Sequence, residues 1–132
     1  MIDKRKIKVL VVEDDPSISD LYHERLVEDG YQVFAAHNGH DGFVLAQSKK
    51  PDLILLDIIM PDVDGYEMLQ ELKTSQSTKN TPVIIFSNLS QREEIEKGLK
   101  LGASDFIIKT SVTPTQMAKK VEEFLNSGKI EK

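Results

Sequence analysis

A chain of 132 residues suits one domain with one core, and 39% hydrophobic with 30% charged residues is the balance of a folded chain rather than a disordered one. The absence of cysteine excludes disulfides, zinc–thiolate sites and thiol catalysis. A net charge of −5, from 17 basic and 22 acidic residues, argues against nucleic acid as a direct ligand, and no run approaches the ~20 apolar residues of a membrane span. The basic start Met1-Ile2-Asp3-Lys4-Arg5-Lys6 leads into an apolar run only as long as a strand. It is therefore not read as a signal peptide, and the expected compartment is the cytoplasm.

Strand-like and helix-like runs alternate along the chain. The first strand is Ile7–Val12; Asp15 then caps a helix that has Pro16 at its first position, with Ile18, Leu21, Tyr22, Arg25 and Leu26 on one face and Gly30 as its stop. The second strand is Gln32–Ala36, followed by a helix from about Gly39 that turns Phe43 and Ala46 inward. The third strand is Asp52–Asp57; Asp64 opens the next helix with Glu67 as capping-box partner, and Tyr66, Leu69 and Leu72 face the core. The fourth strand is Val83–Phe86, followed by a helix with a Ser90/Glu93 capping box that carries Ile95 and Leu99 and ends at Gly102-Ala103. The fifth strand is Asp105–Ile108, and Thr113, Pro114 and Gln116 start a last helix with Met117, Val121, Phe124 and Leu125 on one stripe.

Five such units imply an α/β fold: a doubly wound, five-stranded parallel sheet of order 2-1-3-4-5 with five helices, the flavodoxin-like arrangement. The strands read as continuous apolar runs because both faces of a parallel sheet are covered. We expect one domain over 1–132, with a core of about 7–126 and a short charged tail from 127 to 132. Since little chain remains after the last helix, no further domain is expected; a single-domain protein and a piece cut from a longer protein fit the tail equally.

In that strand order, strands 1 and 3 are neighbours where the winding reverses, and ligands of open α/β sheets bind outside the carboxyl ends of the strands at that point. The first strand ends in Glu13-Asp14-Asp15 and the third in Asp57. Asp57 could simply close a strand. However, the following helix already has its cap in Asp64, and the turn is set by Pro61 and Gly65, so Asp57 has no evident structural task. Asp15 serves as cap of the first helix, which leaves Glu13 and Asp14 in excess of that need. Clustered carboxylates repel one another and call for a cation; a hard, oxygen-liganded dication such as Mg²⁺ fits, with Asp14 bound directly and Glu13 through a water.

Two further residues end strands at the same edge. Ser87 could be a helix cap, but with Ser90 in that role its hydroxyl is left to face an oxyanion. Lys109 could be an ordinary solvated lysine, yet its place makes it a candidate partner for a phosphate as a compact point charge. Carboxylates, a metal, a hydroxyl and an ammonium at one edge are the parts of a phosphoryl-transfer site with an aspartate as nucleophile. Neither a Walker loop nor a Gly-x-Gly-x-x-Gly follows strand 1, which disfavours both common nucleotide-binding modes.

In these residues the chain resembles the receiver domain of two-component response regulators. The resemblance runs from about Ile7 to Asn126 through Val11-Val12-Glu13-Asp14-Asp15, Leu55-Leu56-Asp57, Met60-Pro61-Asp62 to Gly65, Pro82 to Ser87, Gly102-Ala103-Ser104-Asp105-Phe106 and Lys109. It implies that Asp57 accepts a phosphoryl group from a histidine kinase or phosphotransfer protein. It also implies that Glu13, Asp14, Asp57 and the backbone carbonyl of Ile59 organise Mg²⁺, that Ser87 and Lys109 bind the phosphate, and that Phe106 is the aromatic switch that turns inward as Ser87 moves. The implied output surface is the face of helix 4, strand 5 and helix 5, which also admits a dimer. On this reading the chain carries a signal and assists its own phosphorylation and dephosphorylation, and is no metabolic enzyme.

Three positions depart from the family pattern. Thr110 stands where proline, often after a cis bond, usually follows the lysine, which predicts either a trans bond with a rearranged loop or a strained cis bond. Asn88 replaces a small residue after Ser87, which crowds the approach to the phosphate and offers an added polar contact. Phe106 replaces a common tyrosine, so its switching rests on packing. The resemblance puts Ile59 and Leu89 at two family positions that affect the lifetime of the acyl phosphate; both are apolar, which implies slow self-hydrolysis. Two other readings compete. An aspartyl-phosphate phosphatase acting on small molecules would carry an acid where Ile59 stands and a cap domain over the site. A receiver-like interaction module that no longer takes phosphate is suggested mainly by Thr110.

Overall fold

The computed structural model describes residues 2–61 and 63–130; Asp62, part of the Met60-Pro61-Asp62 stretch, lies outside them. The strands β1 (Lys8–Val12), β2 (Gln32–Ala36), β3 (Leu53–Leu56), β4 (Val83–Ser87) and β5 (Asp105–Ile108) form one parallel sheet of order β2-β1-β3-β4-β5. The helices α1 (Pro16–Glu28), α2 (Gly39–Lys49), α3 (Gly65–Thr74), α4 (Arg92–Lys100) and α5 (Pro114–Ser127) connect and follow them. This is the expected flavodoxin-like order.

Alternation along the strands divides the core into two layers. Val9, Val11, Leu53, Leu55, Ile84, Phe86 and Ile107 face α1 and α5, where Tyr22, Leu26, Met117, Val121 and Phe124 cover them. Leu10, Val12, Ile54, Leu56, Val83 and Ile85 face the other side, covered by Ala46 of α2 and by Tyr66, Leu69 and Leu72 of α3. α5 begins as expected, with Thr113 Oγ1 accepting the Gln116 amide at 3.1 Å and Gln116 Oε1 accepting the Thr113 amide at 2.9 Å.

Several local expectations are corrected. α1 buries Ser19, Tyr22 and Leu26, whereas Ile18 and Leu21 are 36% and 50% exposed; its inward stripe is i, i+3, i+7 from Ser19. Asp64 caps α3 by accepting the Tyr66 amide at 2.9 Å instead of that of Glu67. The Ser90/Glu93 box does not form: α4 starts one residue later, with Gln91 at its N-cap and no side-chain cap bond. On α4, Gly98 rather than Leu99 meets the sheet, since a Cβ at residue 98 would lie 2.3 Å from Ile85 Cδ1 while Leu99 is 44% exposed. The Tyr66 hydroxyl donates to α4 at Glu94, and Lys97 Nζ lies over its ring at 4.3 Å. After α5, Gly128 takes a left-handed turn (φ 79°) and Ile130 is buried on the α1/α5 layer, so residues up to 130 belong to the packed fold.

Tyr31 is buried on the α1/α5 layer and its hydroxyl has no hydrogen-bond partner among the described residues. Burial, with Glu122 and Asp29 nearby, pushes its phenol up to about 12 from 10. The unfolded chain therefore ionises first, and the stability held below pH 10 is lost as the pH rises from 10 towards 12. Urea unfolding midpoints measured from pH 9 to 11.5 should fall in the wild type, and fall less in Tyr31→Phe.

Candidate phosphoryl-transfer site

β1 and β3 are adjacent, and the chain continues their ladder one step past each strand. The Glu13 amide donates to Ala36 O and the Asp57 amide to Val12 O, both at 3.0 Å. These bonds fix the backbone under the two carboxylates. Glu13, Asp57 and Lys109 have the same parity as Val11, Leu55 and Ile107, so they extend the α1/α5 side of the sheet beyond its edge. Ser87 and Phe106 have the parity of Ile85 and belong to the opposite side.

Lys109 Nζ bridges the two buried carboxylates. It bonds Asp57 Oδ2 at 2.7 Å and pairs with Glu13 Oε1. The other oxygens have partners too: Asp57 Oδ1 accepts the Ile59 amide at 2.9 Å, and Glu13 Oε2 accepts the Asp15 amide at 3.1 Å. Burial pushes the Glu13 carboxyl above the usual range, opposed by Lys109. Burial also pulls the Lys109 ammonium down, but its bonds to Asp57 and Glu13 outweigh that and hold its pKa above the ordinary lysine value. The lysine is therefore charged at neutral pH. Beneath it, Phe86 lies 5.8 Å from Nζ and takes the edge of Tyr22 at a centroid distance of 4.7 Å.

Asp14 is half-buried, and one oxygen each from Glu13, Asp14 and Asp57 lies within 4.8 Å of the others. This all-oxygen, anionic set matches a hard dication. Ile59 follows on the open side with a 52% exposed side chain. Ser87 is fully buried at the end of β4, its Oγ accepting the Leu89 amide in a long bond of 3.5 Å. Ser90 was expected to cap α4 in place of Ser87; neither serine does, and Ser87 stands outside the cap all the same. Phe106 is half-buried against the α2/α3 layer. The structure thus brings Glu13, Asp14, Asp57 and Lys109 into one cluster, with Ser87 on the adjacent strand end.

The Lys109–Thr110 bond is trans, as are all described peptide bonds, and it lies in a 3₁₀ turn, Lys109–Ser111. The Thr110 amide, which a proline would lack, donates to Asn88 Oδ1 at 3.1 Å. Asn88 was expected to crowd the phosphate and to offer a polar contact; the contact it makes is to the Thr110 amide, a partner not foreseen, for which the paired departures at 88 and 110 were the available signal.

The family model of the response regulator receiver domain matches residues 9–122. The chain belongs to this family. The receiver is 38% identical over 102 residues to the "DNA-binding dual master transcriptional regulator RpaA" of Synechocystis, covering 77% of this chain and 42% of that protein. It is 37% identical over 103 residues to the "Transcriptional regulatory protein CusR" of Escherichia coli K12, covering 78% of this chain and 44% of that protein. The chain spans less than half the length of these curated relatives. Among solved structures, the receiver domain of Francisella response regulator 1452 matches with a TM-score of 0.82 at 31% identity, over 94% of this chain and all of that one. The chemotaxis regulator CheY4 of Vibrio cholerae matches with a TM-score of 0.82 at 27% identity, over 89% of this chain and 97% of that one.

Proposed function

We propose that this receiver, one domain over 1–132, takes a phosphoryl group on Asp57 and relays it as a change of surface. The observation that carries the proposal is the buried Asp57 carboxylate at the β1/β3 switch point, bonded to a charged Lys109 and beside Glu13 and Asp14. One Asp57 oxygen attacks phosphorus; the bond from phosphorus to the donor's leaving group breaks, and the leaving group departs with the electron pair. Lys109 leaves its carboxylate partners to hold a phosphoryl oxygen, and the Ser87 hydroxyl donates to another. Glu13, Asp14, Asp57 and the Ile59 carbonyl are the groups that would hold Mg²⁺. When bound, the ion neutralises the charge gathered on the transferring oxygens.

Phe106 pairs with Ile85, two rungs before the Ser87–Ile108 pair and on the same side of the sheet, so movement of Ser87 reaches it through packing. The α4–β5–α5 face is the proposed output and dimer surface. The donor is a histidine kinase or phosphotransfer protein, and the exposed Ile18 and Leu21 on α1 supply an apolar rim for it beside the acidic edge. Among the described residues no helix is long and apolar enough to cross a membrane, and we place the chain in the cytoplasm.

Intact-protein mass after incubation with acetyl phosphate tests the reading. One added phosphoryl mass is expected in the wild type with Mg²⁺, and none without Mg²⁺ or in Asp57→Asn. Absence of any gain, with a kinase donor as well, would favour the phosphate-independent module. Turnover of a generic phosphomonoester would favour the phosphatase.

A further inference from the structure

The β4–β5 ladder ends at the Ser87–Ile108 pair. Beyond it, β5 turns at once into the Lys109–Ser111 3₁₀ turn and β4 into the loop before α4. The two loops are joined just past the ladder, one residue on from β4 and two on from β5, by the bond from the Thr110 amide to Asn88 Oδ1. Each end of that bond adjoins a group of the site: Asn88 follows the Ser87 hydroxyl, and Thr110 follows the Lys109 ammonium. The hydroxyl itself is loosely held, by the 3.5 Å bond from Leu89. The Asn88 side chain thus acts as an extra rung that carries the β4–β5 spacing out to where the two groups must meet one phosphoryl group.

We infer that Asn88 is a positioning residue for phosphoryl transfer: by holding the Thr110 amide it sets the separation of Ser87 and Lys109. This rests on the receiver reading of the site. Phosphoryl transfer depends on placement and charge rather than on covalent help from the protein, so loosening one of two convergent donors slows the chemical step. The carboxylates that would hold the metal, Glu13, Asp14 and Asp57, lie just past β1 and β3, but Lys109 shares the Glu13 and Asp57 oxygens, so the rates are compared at saturating Mg²⁺.

The test is the rate of phosphoryl uptake from acetyl phosphate, followed by intact mass, in wild type, Asn88→Ala, Thr110→Pro and the double variant. Amide exchange of Thr110 and the Mg²⁺ dependence of the rate are measured alongside. Asn88→Ala should take up the phosphoryl group about fivefold more slowly at saturating Mg²⁺, with faster Thr110 exchange. Asn88→Asp, which keeps the acceptor oxygen, should restore the slow exchange. In the Thr110→Pro background, which lacks the amide, Asn88→Ala should cost nothing more; if that background fails to fold, the exchange and rate of Asn88→Ala still decide. A wild-type rate in Asn88→Ala overturns the inference alone, as does a slowed rate with unchanged Thr110 exchange. A wild type that accepts no phosphoryl group from any donor overturns the receiver reading and this inference with it.

Discussion

Gly65→Ala should lower the melting temperature by about 10 °C, corresponding to ~3 kcal/mol of overpacking strain in a domain of this size. A Cβ at residue 65 would lie 2.4 Å from Ile58 Cα and 2.6 Å from Ile58 O, so the added methyl meets main chain, which cannot rotate aside. Gly65 opens α3 at the point where the loop from β3 closes on itself, its own amide donating to Ile58 O at 3.3 Å. Ile58 is covalently next to Asp57, so the displacement reaches the proposed phosphoacceptor, and phosphoryl uptake should slow along with the loss of stability. Gly98→Ala is the comparison. Its Cβ would meet Ile85 Cδ1 at 2.3 Å, the end of a side chain that can change rotamer, and its cost should be smaller. Thermal melts and uptake rates of the two variants check this; equal costs would mean that the Ile58–Gly65 approach is not a tight constraint.

The acidic site was legible in the sequence because its logic is topological. Once apolar runs and helical periods fix five β/α units, the winding rule brings β1 and β3 together, and the residues just past them must share an edge. Glu13, Asp14 and Asp57 needed no knowledge of side-chain packing to be placed. Lys109 and Ser87 were found the same way, as strand-end residues.

The helix faces were less legible, for physical reasons. On α1, the hydrophobic residues Ile18 and Leu21 drew the expected stripe, while the residue that faces the sheet is the small, polar Ser19. A close approach selects for size, and exposed apolar residues are common on protein surfaces. The same holds on α4, where Gly98 makes the contact and Leu99 does not. The tail after Asn126 was read from its charge, and Ile130 was overlooked because a single apolar residue shows no period. The Asn88–Thr110 bond joins loops 22 residues apart in sequence, and no local pattern encodes such a pair.

Removing the bridging lysine should have the second large effect. In Lys109→Ala, Glu13 and Asp57 keep their burial but lose the cation between them, and breaking such a pair from one side costs about 3 kcal/mol. Uptake of phosphate should fall about 100-fold, the usual consequence of removing one preorganised charged donor. Two conditions should repair stability without repairing uptake. The first is Mg²⁺, which binds the native carboxylate cluster; its stabilising shift in melting temperature should be larger in Lys109→Ala than in the wild type, because Lys109 no longer competes for the same oxygens. The second is acid. The Glu13 carboxyl already lies above the usual range through burial, and loss of Lys109 raises it further. A raised carboxyl binds its proton more readily in the folded state, so it favours folding below its folded pKa and loses that contribution as the pH rises through it. The stability deficit of Lys109→Ala should therefore shrink as the pH falls from 7 towards 4.5. In the wild type the raised Lys109 ammonium contributes stability that is lost only in alkali, as the pH rises through its folded pKa. Melting curves of both proteins at pH 5 and pH 7, with and without Mg²⁺, separate these effects. A Mg²⁺ shift in Lys109→Ala no greater than that of the wild type would show that the metal and the lysine do not share these oxygens.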